Sequence, residues 1–437
     1  MIQEQINPAD RYRQFTAAAL AGIREGGTTL VLESQQPGHP ANRYSWIATR
    51  PSVELLSTGH NVTCRVNGSF RAYTGDPWAI LQRVRREYPG WYFGYFGYDL
   101  KNHVENLTSN NADLAGTPEL YFFQPSELIR LDHQTGLLQR IIGNGPLPAL
   151  SSIPETDLCF EMNHLRLRTG RGEYLDRIRQ AQEMIREGEF YEVNLSHVLV
   201  GDYSGDPYSL FREMRRRGPV PFSAFLQTEK FSVCCASPER FLCKRGRRIF
   251  SQPIKGTSAR GHDLKTDREL KERLVQSEKE RAENLMIVDL VRHDLSRVSR
   301  PGSVRVPELF ALQSFETVHQ LISTVEGEAL EGVDPVTILK SCFPMGSMTG
   351  APKIRAMEAI EDLEDYKRGI YSGAIGYLTP EDNFDFNVVI RTAILGNGHL
   401  YYPVGGAITS DSDPLKEWEE TLVKARALPG LELLDMG

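Results

Sequence analysis

The chain has 437 residues and a formal net charge of −7, and 40% of its residues are hydrophobic. That length supports a large core and two or three domains, and the acidic balance disfavours a nucleic-acid partner. The sequence has no apolar run of about eighteen residues, no N-terminal secretion signal and no paired spacing among its six cysteines, so we expect a cytoplasmic protein with reduced cysteines and no membrane span.

The first part of the sequence alternates short apolar runs with turn residues, which predicts β-strands. These runs lie at residues 28–33, 53–57, 62–66, 91–98 and 119–123. Residues 142–154 are rich in glycine and proline and predict a connection. We therefore divide the chain into an N-terminal region, residues 1–150, and a second region, residues 160–437.

In the second region, apolar residues at helical spacing predict an amphipathic helix that ends at Gly188. These residues are Tyr174, Ile178, Ala181 and Ile185. Further helices are predicted at residues 267–292, after Pro335, near Pro352 and after Pro414. Asp413 is the expected N-cap of the last helix.

The same region also contains strand patterns. They lie at residues 190–200, 371–378, 386–395 and 399–404, and residues 396–398 form a hairpin turn signal. Runs of strands with interspersed helices, and no regular βαβ alternation, predict an α+β fold with largely antiparallel sheets.

Two pairs of glutamates lie on predicted helices. Glu280 and Glu283 share one helix face, and Glu417 and Glu420 share another, because each pair is spaced three residues apart. Either pair alone is typical of a solvated acidic surface. Carboxylates opposed from two helices would instead form a hard-oxygen site for Mg²⁺, which implies an anionic substrate.

Other segments fit an anion. Arg391 lies in a predicted strand, where it is either solvated at an edge or a bidentate carboxylate clamp. Gly405 and Gly406 offer backbone N–H groups, and residues 349–353 open a helix, whose N-terminus attracts anions.

Lys255 stands between Pro253 and a glycine turn, which suits an amine held at a fixed position, although most lysines are exposed surface residues.

Several stretches together resemble the chorismate-utilising enzymes, which include anthranilate, isochorismate, salicylate and aminodeoxychorismate synthases. The similarity spans essentially the whole chain and is densest from Arg171 onward. The matching stretches are residues 189–196, 237–241, 253–257, 280–290, 350–357 and 411–414. The resemblance implies a two-lobed α+β sandwich of large, mostly antiparallel sheets flanked by helices.

The resemblance also assigns roles by position. It implies that Glu239 is a general acid and that Glu283 and Glu420 bind Mg²⁺, with Glu280 and Glu417 beside them. It further implies a set of substrate contacts, namely Thr257, His319, Tyr371, Arg391, Gly405, Gly406 and Lys424.

Lys255 stands where most members of the family have alanine, and it resembles the aminodeoxychorismate branch. That branch implies attack of the lysine amine on ring carbon 2 of chorismate, with Glu239 protonating the departing 4-hydroxyl. Ammonia then adds at carbon 4 and expels the lysine, giving 4-amino-4-deoxychorismate for p-aminobenzoate and folate. The amine must be deprotonated, which desolvation usually arranges. The strand around Glu192 lacks the lysine base of the water-using members, which argues against isochorismate or salicylate formation.

No cysteine lies in a glutaminase-type setting, so the resemblance implies that a separate glutamine amidotransferase subunit delivers the ammonia. Leu32, Glu33 and Ser34, with residues 42–46, resemble the tryptophan pocket in the N-terminal part of anthranilate synthase component I. Ala407 replaces a glycine common in the family and would be strained at positive φ. Two alternatives stay open: an anthranilate synthase component I, or an inactive tryptophan-binding regulatory protein.

Overall fold

The computed structural model describes residues 8–34, 43–147, 159–315, 318–431 and 434, which form nine α-helices and 21 β-strands. The helices are α1 (Pro8–Arg24), α2 (Pro77–Glu87), α3 (Arg171–Arg186), α4 (Pro207–Arg217), α5 (Leu264–Gln276), α6 (Glu278–Ser296), α7 (Pro335–Cys342), α8 (Lys353–Leu363) and α9 (Pro414–Ala425).

The strands of the N-terminal region are β1 (Thr29–Glu33), β2 (Tyr44–Thr58), β3 (Asn61–Val66), β4 (Ser69–Thr74), β5 (Tyr92–Phe96), β6 (Leu120–Asp132) and β7 (Leu137–Ile142). The others are β8 (Phe160–Leu167), β9 (Glu192–Gly205), β10 (Phe222–Gln227), β11 (Phe231–Ser237), β12 (Arg240–Arg245), β13 (Arg248–Gln252), β14 (Ile254–Ala259), β15 (Arg305–Ser314), β16 (Val318–Glu328), β17 (Gly350–Ala351), β18 (Ala374–Leu378), β19 (Phe384–Asn387), β20 (Thr392–Gly396) and β21 (His399–Ile408).

Strands β1 and β2 pair side by side and connect two halves of one sheet. One half continues from β1 through β10, β11, β20, β21, β9 and β8. The other continues from β2 through β6, β5, β18, β19, β12, β13 and β16. All these pairings are antiparallel, and strands from both regions of the sequence share the sheet.

A hydrophobic core lies between the two halves, because one cluster takes side chains from both. Leu226 on β10 and Ile394 on β20 belong to the same cluster as Phe93 on β5 and Tyr377 on β18. Helix α4 covers the first half, and α1 packs on strands of both halves. Helices α2, α6 and α7 cover the second half, and α3, α8 and α9 pack near β9. The predicted α+β sandwich of antiparallel sheets flanked by helices is confirmed.

Two predicted elements are broken in the structure. The helix expected at residues 267–292 divides into α5 and α6 at Ser277, whose extended backbone and side chain cap α6 by accepting from the Glu280 N–H. The strand expected at 386–395 ends at Asn387 and resumes at Thr392, because Arg391 adopts a left-handed conformation with φ of 51°. The face shared by Asn387 and Arg391 in a continuous strand is therefore absent.

Other local predictions are confirmed. Asp413 caps α9 by accepting from two backbone N–H groups, and β20 and β21 form a hairpin around Asn397 and Gly398, both at positive φ. Helix α2, which buries Trp78, Ile80, Leu81 and Val84 on one side, lies in a part of the chain where only strands were predicted. Residues 148–158 lie outside the described residues, and the division of the chain near residue 150 stays a prediction. No helix in the described part of the chain is long and apolar enough to cross a membrane.

A buried histidine joins α9 and α3 to the sheet. His197 on β9 is fully buried and stacks on Trp418 of α9, with ring centroids 5.0 Å apart, and meets Tyr174 of α3 edge-on at 4.7 Å. Its Nε2 is 2.8 Å from the Thr421 hydroxyl, and its Nδ1 has no hydrogen-bond partner among the described residues. Burial lowers the pKa of His197 to about 3.

This histidine predicts a specific loss of stability in mild acid. Because its pKa is about 3 when folded and about 6.5 when unfolded, its contribution is complete above pH 6.5 and is lost as the pH falls. The free energy of unfolding should fall by up to about 1.4 kcal/mol per pH unit below pH 6 from this residue alone. In His197→Gln that slope should be absent, as measured by urea unfolding between pH 7.5 and 5. Parallel pH curves for both proteins would contradict the prediction.

Candidate active site

Lys255 lies at an irregularity in the sheet. Strand β14 pairs with β16, but the register shifts between Ile254 and Thr257, so Lys255 and Gly256 lie outside the regular ladder. Gly256 has φ of 84°, and a Cβ atom there would come within 3.1 Å of the Glu280 carboxylate. The positive φ favours glycine at this position, and a Cβ atom would also crowd α6. The close approach of α6 to β14 places the lysine beside the acidic helix.

The ammonium of Lys255 is bound by a glutamate from another strand. Its Nζ donates to Glu192 Oε1 at 2.6 Å, and the two side chains are only 10% and 1% exposed. Burial lowers the pKa of Lys255, but the carboxylates of Glu192 and Glu283 outweigh burial, so the net pKa is raised. Desolvation was expected to free the amine of its proton. Here the neighbouring carboxylates keep the proton on it.

Glu239 lies in the short link between β11 and β12. It is buried, and its Oε1 accepts a hydrogen bond of 2.8 Å from the Ser347 hydroxyl. Burial raises the pKa of Glu239 to about 7, while the Ser347 hydrogen bond and the Lys255 charge act in the opposite direction. A carboxyl with this pKa exchanges a proton near neutral pH, which is the property required of a general acid.

Helices α6 and α9 face each other with their glutamates between them. Lys279 of α6 lies between the helices, with its Nζ 3.7 Å from Glu283 Oε1 and 3.2 Å from Glu417 Oε1. Burial, followed by the charge of Glu420 on α9, raises the pKa of Glu280. Burial raises the pKa of Glu283 to about 7. The structure thus brings the two predicted pairs together from distant parts of the sequence.

The donors of this cluster fit a hard cation. In the described part of the chain, no group of three or more His, Cys, Asp or Glu side chains is already arranged as a metal site. Mg²⁺ does not require one, because it commonly takes one or two protein carboxylates and completes its shell with water and substrate oxygens. Glu283 Oε1 is buried without a hydrogen-bond partner among the described residues. A bound cation would satisfy it.

Arg391 is a partly buried cation. It lies near Glu239 and Tyr402, and its guanidinium forms no ion pair with a described residue. Burial lowers the pKa of Arg391 even though these two neighbours raise it. A guanidinium that is partly removed from water gains from an anionic partner, so Arg391 fits a carboxylate ligand.

Strand β21 and helix α9 bring two glycines and a lysine to the same place. A Cβ atom on Gly405 would lie 2.5 Å from the Leu195 carbonyl oxygen, so only glycine permits this pairing with β9. A Cβ atom on Gly406 would lie 3.6 Å from a Glu417 carboxylate oxygen and 3.7 Å from Lys424 Nζ. Lys424 Nζ also donates to the Gly405 carbonyl at 3.1 Å and pairs with Glu420 at 2.6 Å. The charge of Lys424 lowers the pKa of Glu420 and outweighs burial, which raises it.

Ala407 is not strained. It pairs with Asn194 in the β21–β9 ladder, and its φ is not positive. Alanine therefore replaces the expected glycine without backbone cost.

Three further predicted contacts differ in their exposure to solvent. Thr257 is exposed and accepts from Gln320 at 3.4 Å. His319 is fully buried, with one ring nitrogen 2.8 Å from Asp267 and the other 2.9 Å from Ser314. Tyr371 is also buried. Both nitrogens of His319 thus already have protein partners. Contact of these three residues with a substrate stays a prediction.

Sequence reasoning missed three residues of this cluster. Glu192 was noted only for the lysine that its strand lacks, while Lys279 and Ser347 were not considered. A sequence signal existed for Lys279, which stands four residues before Glu283 on one helix face. No sequence spacing relates Glu192 to Lys255 or Ser347 to Glu239, since each pair is brought together only by the tertiary fold.

A separate cavity lies beside β1. It has a volume of about 650 Å³, and Leu32, Glu33 and Ser34 all line it. Aromatic side chains contribute much of the wall, including Tyr44, Trp46, Phe222, Phe250 and Tyr377. The Glu33 carboxylate pairs with Arg215 at 2.6 Å and accepts from the Tyr12 hydroxyl, so it is not free for a ligand. Residue 42, the first of the segment 42–46 that was also predicted to form this pocket, lies outside the described residues.

Known proteins match this chain along nearly its whole length. The sequence profile of the chorismate binding enzymes matches residues 27–429. Aminodeoxychorismate synthase component 1 of Klebsiella aerogenes is 35% identical over 417 residues, covering 91% of this chain and 92% of that protein. Anthranilate synthase component 1 of Aquifex aeolicus is 32% identical over 439 residues, covering 92% and 89%. The crystal structure of anthranilate synthase component I from Streptococcus pneumoniae superposes with a TM-score of 0.78 at 28% identity, covering 90% of this chain and 93% of that one.

The aromatic cavity predicts a ligand effect on thermal stability. If it binds tryptophan, a concentration about 100 times the Kd should stabilise the protein by about 2.7 kcal/mol and raise its Tm by a few degrees. Ser34→Tyr, which places a ring in the cavity, should abolish the shift, as followed by differential scanning fluorimetry. Leucine serves as the control ligand. An equal shift of Tm in the variant would show that tryptophan binds outside this cavity. No shift in the natural chain would show that the cavity does not bind tryptophan.

Proposed function

The chain belongs to the family of chorismate-binding enzymes, and from that premise we propose that it is an aminodeoxychorismate synthase. It converts chorismate and ammonia to 4-amino-4-deoxychorismate, the precursor of p-aminobenzoate and folate. The observation that carries the proposal is a buried lysine, Lys255, beside a cluster of carboxylates that includes the proton-exchanging Glu239. The relatives of that name, about 35% identical, support it.

Chorismate is a dianion, and the site offers it cationic contacts. Arg391 and Lys424, with the backbone at Gly406, are the groups that bind its carboxylates. Mg²⁺ held by Glu283 and Glu420, with Glu280 and Glu417 beside them, would neutralise the carboxylate charge on the ring. Lys279 already supplies positive charge between the same two helices.

The reaction uses Lys255 as a nucleophile. Its amine attacks ring carbon 2, and the two ring double bonds shift as the carbon 4 hydroxyl departs. Glu239 protonates that hydroxyl, for which a pKa near 7 is suitable. Ammonia adds at carbon 4, the double bonds shift back, and the bond to lysine breaks. Burial of Lys255 and Glu239 limits the competing entry of water.

Ammonia comes from a separate glutamine amidotransferase subunit in this proposal. The relatives named component 1 support a second component. Five of the six cysteines are buried, and burial raises the pKa of the Cys234 and Cys342 thiols, which is the opposite of an activated nucleophile. Cys159 is exposed but has no sequence context of a glutaminase.

Anthranilate synthase component I is the second candidate, favoured by the solved structure and the Aquifex relative. Its reaction has no use for a nucleophile at position 255. An inactive tryptophan-binding protein is the third, and the cavity beside β1 favours it. The presence of Lys255, Glu239 and the glutamates of α6 and α9 in one cluster speaks against an inactive site.

The product of the reaction tests the proposal directly. With chorismate, Mg²⁺ and ammonium, the chain should yield p-aminobenzoate only when aminodeoxychorismate lyase is added, as read by fluorescence and mass. Lys255→Ala should lose at least about 100-fold in rate, because nucleophilic catalysis is removed. Lys265→Ala, at an exposed position of α5, is the matched control. Anthranilate as the main product would instead assign the chain to the tryptophan branch.

The hydrogen bond from Ser347 predicts a pH effect. At a fixed concentration of free ammonia, kcat/KM for chorismate should fall as the pH rises through the pKa of Glu239, about 7, because the general acid loses its proton. Ser347→Ala removes a hydrogen bond that lowers this pKa, so the fall should move to higher pH. Ser347→Thr retains a hydroxyl and should keep the original profile. A profile in Ser347→Ala that is unchanged, or moved to lower pH, would refute this assignment of the general acid.

A further inference from the structure

We propose that Glu192 is the base that removes the proton from Lys255 and holds its amine in the attacking position. This inference rests on the proposed function. It assigns a role that Glu239 and the glutamates of α6 and α9 do not fill.

The position of Glu192 is fixed by the sheet. It is the first residue of β9, and its backbone pairs with Ala351 of β17. A Cβ atom on Gly350 would lie 2.0 Å from the Glu192 carbonyl oxygen, so β17 approaches as closely as a backbone can. Because the side chain is also 1% exposed, its carboxylate has little freedom to leave Lys255.

The two carboxylate oxygens of Glu192 differ in their surroundings. Oε1 accepts from Lys255 Nζ at 2.6 Å. Oε2 is buried and has no hydrogen-bond partner among the described residues. A structural carboxylate normally has both oxygens satisfied, whereas this one keeps a free acceptor next to the reacting amine.

Glu280 on α6 and Glu420 on α9 also interact with the Lys255 charge, but three carboxyl groups from three different elements act on it most strongly. They are Glu192 on β9, Glu283 on α6 and Glu239 before β12. Glu283 in turn faces Lys279 and Glu280 on its own helix. Only Glu192 forms a hydrogen bond with the lysine among the described residues. Glu239 is bound by Ser347 and acts as the acid, and Glu283 is assigned to the cation. Glu192 is thus the group left to accept the proton.

The proton balance closes over the cycle. The Lys255 ammonium gives a proton to Glu192, leaving a neutral amine and a carboxylic acid. The amine forms its bond to carbon 2, and the hydroxyl leaves carbon 4 as water with the proton of Glu239. Ammonia then bonds to carbon 4 and releases a proton to Glu239, while the bond from carbon 2 to lysine breaks. The freed amine regains its proton from Glu192, and chorismate plus ammonia has become aminodeoxychorismate plus water.

The test compares Glu192→Gln with two other variants. Glutamine keeps the volume and a hydrogen-bond acceptor but takes no proton. Glu192→Asp keeps a base on a shorter arm. Glu189→Gln makes the same chemical change three residues earlier, where the carboxylate pairs with Arg355 instead of Lys255. Steady-state kinetics with ammonium, intact-protein mass after chorismate alone, and Tm are measured for each at several pH values.

In Glu192→Gln we expect kcat at pH 7 to fall at least about 100-fold, within the range for a general base, while KM for chorismate changes less than about threefold. The lysine adduct should form correspondingly slowly. The loss should shrink as the pH rises, because solvent then removes the proton. The kcat of Glu192→Asp should lie between those of Glu192→Gln and the natural chain. The kcat of Glu189→Gln should match that of the natural chain.

Four results would overturn the inference. The first is full activity in Glu192→Gln. The second is a loss that is the same at every pH, and the third is a loss carried by KM, since either indicates a structural ion pair. If Glu192→Gln does not fold, Glu192→Asp decides, and a loss of kcat in it that is the same at every pH is the fourth. If the natural chain forms no aminodeoxychorismate at all, the proposed function fails, and that result is separate because it is seen without any variant.

Discussion

Most of the site depends on a surplus of buried negative charge. Carboxylates removed from water need a cation, a proton or hydrogen bonds, and this cleft gathers more of them than its lysines neutralise. Of these carboxylates, those of Glu192, Glu239, Glu283 and Glu417 are buried, that of Glu280 is partly buried, and that of Glu420 is half exposed. The lysines are Lys255, Lys279 and Lys424. Burial is the main cause of the raised pKa values of Glu239, Glu280 and Glu283, and neighbouring carboxylates add to the rise at Glu280 and Glu283. The same surplus makes the cleft receptive to a further cation.

The strand that carries Glu192 is held in place by its neighbours in the structure. Strand β9, which carries Glu192, pairs with β21 along ten residue pairs. It is also braced by a buried ion pair, since Arg368 donates to the Asn194 carbonyl at 2.7 Å while Glu364 accepts from the Ser196 N–H at 2.8 Å. Arg368 and Glu364 themselves pair at 2.6 Å. Buried polar groups that are fully satisfied favour a single arrangement, so this brace limits the movement of the strand beside Lys255.

The sequence predicted the elements whose signals are local. The cap at Asp413 and the turn at Asn397 are decided within a few residues. The break at Ser277 was missed although its signal is local too, since Ser277 with Glu280 fits the capping-box spacing. The strand break at Arg391 had no such signal, because a positive φ at arginine is imposed by the surrounding structure. The pairing of Lys255 with Glu192 spans 63 residues and exists only once β9 and β14 are in place.

The irregular pairing of β14 separates the chemistry of position 255 from the stability of the sheet. Because Lys255 and Gly256 lie where the register shifts, the side chain at 255 does not belong to a row of cross-strand neighbours. Exchanging that residue therefore changes the side chain beside the acidic helix without changing a cross-strand pair on either side of it. A scaffold of this kind can acquire a different group at this position by changing a single side chain. The adjoining glycine, in contrast, is favoured by its positive φ and tolerates little change.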